Sequence, residues 1–106
     1  MIKIHTLTTT VEKKTDAEMM ASQLLENHLI GCAQIAGPII SIYRWQGKMV
    51  KGEEYVLAIK TTEAKIAQVR AWLEANHPYE VPEILTAPVE SVNEPYALWL
   101  KRECNE

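Results

Sequence analysis

The chain is expected to fold as a single α+β domain, a four-stranded antiparallel sheet with its two main helices on one face. Three observations lead there. Two β-prone runs, Ile39–Trp45 and Tyr55–Thr61, flank a polar segment holding Gly47 and Gly52, the pattern of a long antiparallel hairpin. Ala17, Met20, Ala21, Leu24, Leu25 and His28 recur at helical spacing, which marks an amphipathic helix. The elements then follow in the order β-α-β-β-α-β with a C-terminal helix. Split βαβ units in that order give the ferredoxin-like sandwich with a long central hairpin.

Each element has its local reasons. Ile2–Thr9 alternates as a strand. Thr15-Asp16-Ala17-Glu18 has the spacing of a capping box at a helix start, and Gly31 suits the helix stop. A second helix opens at Thr62 as N-cap and presents Ile66, Val69 and Leu73 on one face. It ends near Asn76, because Pro78 disfavours helical geometry at His77. Ile84–Val89 is the last strand, and Pro88 places it at an edge or bulge. Asn93-Glu94-Pro95 opens a short third helix carrying Tyr96, Trp99 and Leu100.

The hairpin arms are apolar on both faces near their middle: Ile40 and Ile42 oppose Tyr43 and Trp45, and Leu57 and Ile59 oppose Val56 and Ala58. A sheet with one wet face should alternate apolar and polar. Helices cover one face, so the second cover must come from another subunit, and the domain is expected to be trimer-forming.

Composition narrows the function. The chain has 106 residues, 47% of them hydrophobic and 24% charged, which describes one ordinary globular domain with a single two-layer core. A net charge of −3 with scattered arginines leaves no basic stripe for phosphates, so no nucleic acid partner is expected. No apolar run approaches a membrane span, and the strand-like N-terminus lacks the apolar core of a signal peptide. A cytoplasmic protein is the simplest expectation. Cys32 and Cys104 have no metal or redox spacing, and a reduced pair suits that compartment.

Functional atoms are densest in His77-Pro78-Tyr79-Glu80-Val81-Pro82-Glu83. The prolines stiffen a loop that carries an imidazole, a phenol and two carboxylates, a fair metal or anion site. The blander reading is a helix end and a strand start with solvated polar groups. His28 is expected to pack on the first helix, Cys32 to be a small buried residue and Cys104 to be an exposed thiol in a mobile terminus. Lys60 follows an apolar run, and an unpaired buried charge is costly, so it should pair with a carboxylate, with Glu80 as candidate. Glu53-Glu54 reads as a solvated pair in a turn. No G-x-S-x-G, Gly-rich phosphate loop or H-E-x-x-H is present, so no catalysis is expected.

Several of these segments together resemble the CutA divalent-cation tolerance family. They are Leu29–Ala33, Ser41–Trp45 with Gly47-Lys48, Lys60-Thr61-Thr62, His77–Glu83, and Tyr96 with Trp99, in collinear order over nearly the whole chain. The resemblance implies a ferredoxin-like subunit in a compact homotrimer, similar in shape to PII-type signalling proteins, and an association with copper and other divalent metals. It implies no catalysis and no required cofactor. Clefts between subunits, lined by Trp45, Lys60, His77, Glu80 and Tyr96, are the implied binding places, with Cys32 a further candidate ligand.

Members proposed to bind copper carry a cysteine at the end of the first strand and a His-His pair before the Pro-Tyr. The corresponding residues here are Thr9, and Asn76 followed by His77. One of the three ligands survives, so a lone imidazole should hold Cu²⁺ or Zn²⁺ weakly. The rival expectation is a small-molecule or anion sensor of the PII type that uses Lys60. A third is a trimeric scaffold for protein partners.

Overall fold

A computed structural model describes residues 1–106 and has the element order read from the sequence. It runs β1 (Ile4–Val11), α1 (Lys14–Glu26), β2 (Cys32–Trp45), β3 (Lys48–Thr62), α2 (Glu63–Asn76), β4 (Leu85–Pro88) and α3 (Glu94–Glu103). The strands form one sheet in the order β2-β3-β1-β4, every pair antiparallel. No helix is long and apolar enough to cross a membrane.

The hairpin is longer than its sequence pattern indicated. Its arms hold 14 and 15 residues, and the chain measures 46 × 26 × 22 Å. Only Gln46 and Gly47 form the turn, with φ of 52° and 79°. Two successive positive φ values make the mirror-image turn whose twist suits a two-residue hairpin. The polar run from Lys48 to Glu54, read as a loop, is therefore strand, and Glu53-Glu54 lies in β3 rather than in a turn. Much of this stretch is open to water, so polar side chains cost little there and the hydrophobic alternation fades. The ladder breaks once, between Ala36 and Ile39. Pro38 there has no N–H to contribute, and Gly37 sits at φ 148° against the Tyr55 ring and the Glu54 carbonyl.

Both main helices pack on one face. Leu7 and Val11 of β1, Leu57 and Ile59 of β3, Met20 and Leu24 of α1, and Val69 and Leu73 of α2 form one buried cluster. Burying each large apolar side chain contributes about 1.5–3 kcal/mol. Leu7 faces Ile59 and Thr9 faces Leu57. Because side chains alternate along a strand, Thr6, Thr8, Thr10, Val56, Ala58 and Lys60 line the other face. α3 closes one end of the sheet: Ala97 and Leu100 pack with Ile4.

Several local expectations are corrected. α1 begins at Lys14 with Lys13 as N-cap and has no side-chain cap; Thr15 lies inside the first turn, so the capping box does not form. The helix stops before Gly31, at Asn27, and His28 takes the left-handed conformation at φ 55°. Gly31 serves contact instead, since a Cβ there would meet the side chain of Leu100. His28 is exposed, with Nδ1 3.1 Å from the Glu103 carbonyl, because the chain leaves the helix before the ring can join the stripe. Thr62 is the N-cap residue of α2, yet its hydroxyl donates to Glu106 rather than to the helix.

The cysteines also exchange roles. Cys104 is fully buried, its Sγ 3.7 Å from Thr61 Oγ1, because the last turn of α3 carries it back against β3. Cys32 is only partly buried, and both thiols are free.

Candidate functional site

A concave feature lies where the hairpin leaves the helix-covered core. There the loop between α2 and β4 folds over the edge of the sheet and encloses a cavity of about 660 Å³. Thr10, Ser41 and Glu54 form its floor, Tyr43 and Trp45 rise along the hairpin, and Tyr79, Glu80 and Glu83 come from the loop. The β-bulge matters here: past it, Ile39 pairs with Glu54 and Ser41 with Gly52, which sets Ser41, Tyr43 and Glu54 on one face.

Tyr79 holds the roof to the floor by donating its hydroxyl to Glu54 Oε2 at 2.7 Å. Burial pushes the Glu54 carboxyl up, but hydrogen bonds from Ser41, Tyr79 and Thr10, with His77 nearby, outweigh it and leave the group below its ordinary value. The same bond acts oppositely on Tyr79: burial, then the Glu54 carboxylate, raises the phenol well above its usual range. At neutral pH the floor is an ionised carboxylate and the roof a neutral phenol.

His77 stands behind this wall. Its ring lies 4.9 Å from that of Tyr79, and its Nδ1 accepts the Tyr79 N–H at 3.0 Å. With Nδ1 an acceptor, the neutral ring carries its proton on Nε2, which lies 3.0 Å from the Thr10 carbonyl and 2.9 Å from Thr9 Oγ1. Both nitrogens are engaged, so the ring joins the loop to β1. Burial lowers its pKa despite the Thr10 carbonyl and the carboxylates of Asp16 and Glu54.

The other predicted residues lie elsewhere. Lys60 sits on the sheet face opposite α1 and α2, and its Nζ donates to Gln34 Oε1 at 2.6 Å. Its partner is thus a neutral amide and not Glu80, because Gln34 lies on the neighbouring strand two pairs beyond Cys32, which is directly opposite Lys60. Tyr96 reaches Cys32 from α3, and burial together with that thiol raises its phenol. Of the implied cleft set, Trp45 and Glu80 share the cavity, His77 braces it, and Lys60, Tyr96 and Cys32 form a separate group. Cys32 and Trp45 stand at opposite ends of β2, roughly 40 Å apart along an extended strand. One chain does not bring all of them together.

Two contributors escaped the sequence reading, Glu54 and the Thr10–Ser41 floor. A strand that runs back through Gly52 places Glu54 on the same face as Val56 and Ala58. No three histidine, cysteine, aspartate or glutamate side chains converge as a metal cluster.

With this geometry, known proteins give a clear match. The family model described as CutA1 divalent ion tolerance protein matches residues 5–103. This chain belongs to the CutA1 divalent ion tolerance family. It is 38% identical over 92 residues to the divalent-cation tolerance protein CutA of Thermus thermophilus, covering 87% of this chain and 89% of that one. It is 36% identical over 91 residues to the CutA homolog of Xenopus laevis, covering 86% of this chain but 60% of that longer one. A crystal structure of CutA1 from Ehrlichia chaffeensis superposes with a TM-score of 0.94 at 32% identity, covering 98% and 97% of the two chains.

The CutA1 resemblance drawn from the sequence also gains a spatial meaning. Thr9 and His77, which the sequence resemblance singled out, meet in this fold through the 2.9 Å contact.

Proposed function

We propose that this chain is a homotrimeric protein of divalent-cation tolerance that binds Cu²⁺ weakly at His77 and the neighbouring carboxylates, with no catalytic step and no required cofactor. The observation that carries the reading is His77 itself, an imidazole near the Glu54 carboxylate with both nitrogens already hydrogen-bonded. An incoming ion must displace either the Tyr79 N–H from Nδ1 or the Nε2 proton held by the Thr10 carbonyl. That competition and the lack of a third convergent ligand both keep affinity modest. The trimer is supported by apolar side chains stranded on the distal hairpin, with Ile40, Ile42 and Met49 exposed by 65%, 64% and 76%. It is supported too by the division of the implied cleft residues between two ends of one chain, which a neighbouring copy would reunite.

A second reading has its own observation. Lys60 offers an ammonium on the uncovered sheet face with only a neutral amide as partner, which suits an anion sensor. Calorimetric titration with Cu²⁺, Mg²⁺ and inorganic phosphate decides between them. Cu²⁺ should bind measurably and Mg²⁺ not, with His77→Ala abolishing most of the heat while the assembly persists. If His77→Ala binds Cu²⁺ as well as the parent, the metal reading of this residue fails. Phosphate binding that Lys60→Ala removes would favour the sensor.

A further inference from the structure

We propose that Lys60 of one copy of the chain is the counter-charge for the acidic cleft of the next, so that the cleft roofed by Tyr79 is completed between two copies. This rests on the assembly proposed above and names the contact that sets how its copies meet.

Each half of the contact lacks a counter-charge within one chain. Glu54, Glu80 and Glu83 line the cleft, and no lysine, arginine or histidine does. The chain's two ion pairs both involve Glu63, so neither serves these three carboxylates. Hydrogen bonds from Ser41, Tyr79 and Thr10 hold Glu54, but they position its charge without cancelling it. Lys60 is the converse case. An ammonium has three donors, and Gln34 Oε1 takes one at 2.6 Å without neutralising it. Its neighbours across the same face, Thr6 on β1 and Gln34 on β2, are uncharged.

Geometry separates the two halves in one chain, yet sets them on one surface. Lys60, Ala58, Val56 and Glu54 alternate onto the same face of β3, the face turned away from α1 and α2. Lys60 and Glu54 stand roughly 20 Å apart along that extended strand, beyond the reach of a lysine side chain. One face therefore has a basic end and an acidic end, with Val56 and Ala58 between them. A second copy that brings its basic end to the acidic one gains attraction, whereas like ends repel. In a closed trimer the contact runs head to tail: each copy gives Lys60 to one neighbour and its cleft to the other. Trp45 and Ile42 border the cleft, so the same contact covers apolar surface, and a pair shut off from water interacts more strongly than an exposed one.

The test is sedimentation of the full chain at micromolar concentration and low salt, with charge reversal at each end. Glu80 is the carboxylate to reverse, because it is exposed and, unlike Glu54, does not tie the roof to the floor. Lys60→Glu and Glu80→Lys should each weaken assembly at least about tenfold, since each brings like charges together. The double variant restores opposite charges and should recover much of the loss. Lys60→Met, which keeps the stem and removes the charge, should weaken assembly less than Lys60→Glu. Lys14→Glu, on the exposed first turn of α1, should assemble as the parent does. Added NaCl should loosen the parent more than Lys60→Met.

Assembly of Lys60→Glu at the parent level would overturn the proposal. So would losses in both single variants that the double variant leaves unrecovered, since misfolding or a different contact would then account for them. The two ideas separate on the parent. A parent that stays a single chain sinks the trimer reading and this contact with it; an assembled parent indifferent to both reversals sinks the contact alone.

Discussion

The two ends of the hairpin obey different rules. Near the helices, Leu57 and Ile59 are buried beneath α1 and α2 with Leu7, Met20 and Leu73. At the tip, Ile40, Ile42 and Met49 are equally apolar and mostly exposed. The backbone is the same antiparallel ladder throughout. What differs is the cover, and therefore what each residue contributes. Apolar side chains at the base stabilise the subunit, while those at the tip gain nothing until another surface meets them.

Truncation breaks or sharpens that contrast most strongly. Leu57→Ala should cost ~2–5 kcal/mol of unfolding free energy, the range for emptying a packed aliphatic site. Ile42→Ala should cost the isolated subunit less than about 0.5 kcal/mol, as surface substitutions do. Its effect should instead appear as a midpoint that depends on protein concentration, the mark of weakened assembly. Urea denaturation at several concentrations checks both. Equal, concentration-independent losses would erase the distinction between the two ends.

A smaller effect concerns pH, at the junction between the two regions. Burial holds the His77 ring below its ordinary 6.5, so near and below that value the unfolded chain binds more protons than the folded one. The contribution is complete above 6.5 and is lost as pH falls through the folded value. Glu54, held below 4.5 mainly by its hydrogen bonds in spite of burial, adds a second loss with the same sign at lower pH. Denaturation midpoints should fall between about pH 7 and pH 5, and His77→Gln should flatten that first decline. A midpoint that holds or rises on acidification would contradict the arrangement of His77 between the Tyr79 N–H and the Thr10 carbonyl.

Legibility in the sequence follows the same division. The order of elements could be read because the helical stripes and the Leu57–Ile59 run are buried on one face, and one-sided burial imposes periodicity. The tip could not, because Lys48, Lys51, Glu53 and Glu54 occupy strand whose surroundings do not select against charge. A glutamate in such a run looks solvated, although the bulge and Tyr79 make Glu54 part of the cavity floor. His77 and Glu80 stood out as a motif, but the engagement of both imidazole nitrogens depends on where β1 places the Thr10 carbonyl. Cys104 was misplaced for a like reason: nearness to the terminus says nothing of the turn of α3 that buries it against Thr61.

Sedimentation equilibrium at micromolar concentration tests most directly the proposal that the distal hairpin meets other copies of the chain. The chain mass is 12.0 kDa. The parent should sediment as one species of three chain masses, and Trp45→Ala, which removes an aromatic ring from the exposed tip, should shift it toward smaller species. A parent that stays at the mass of one chain would contradict the account, leaving the exposed apolar tip unexplained.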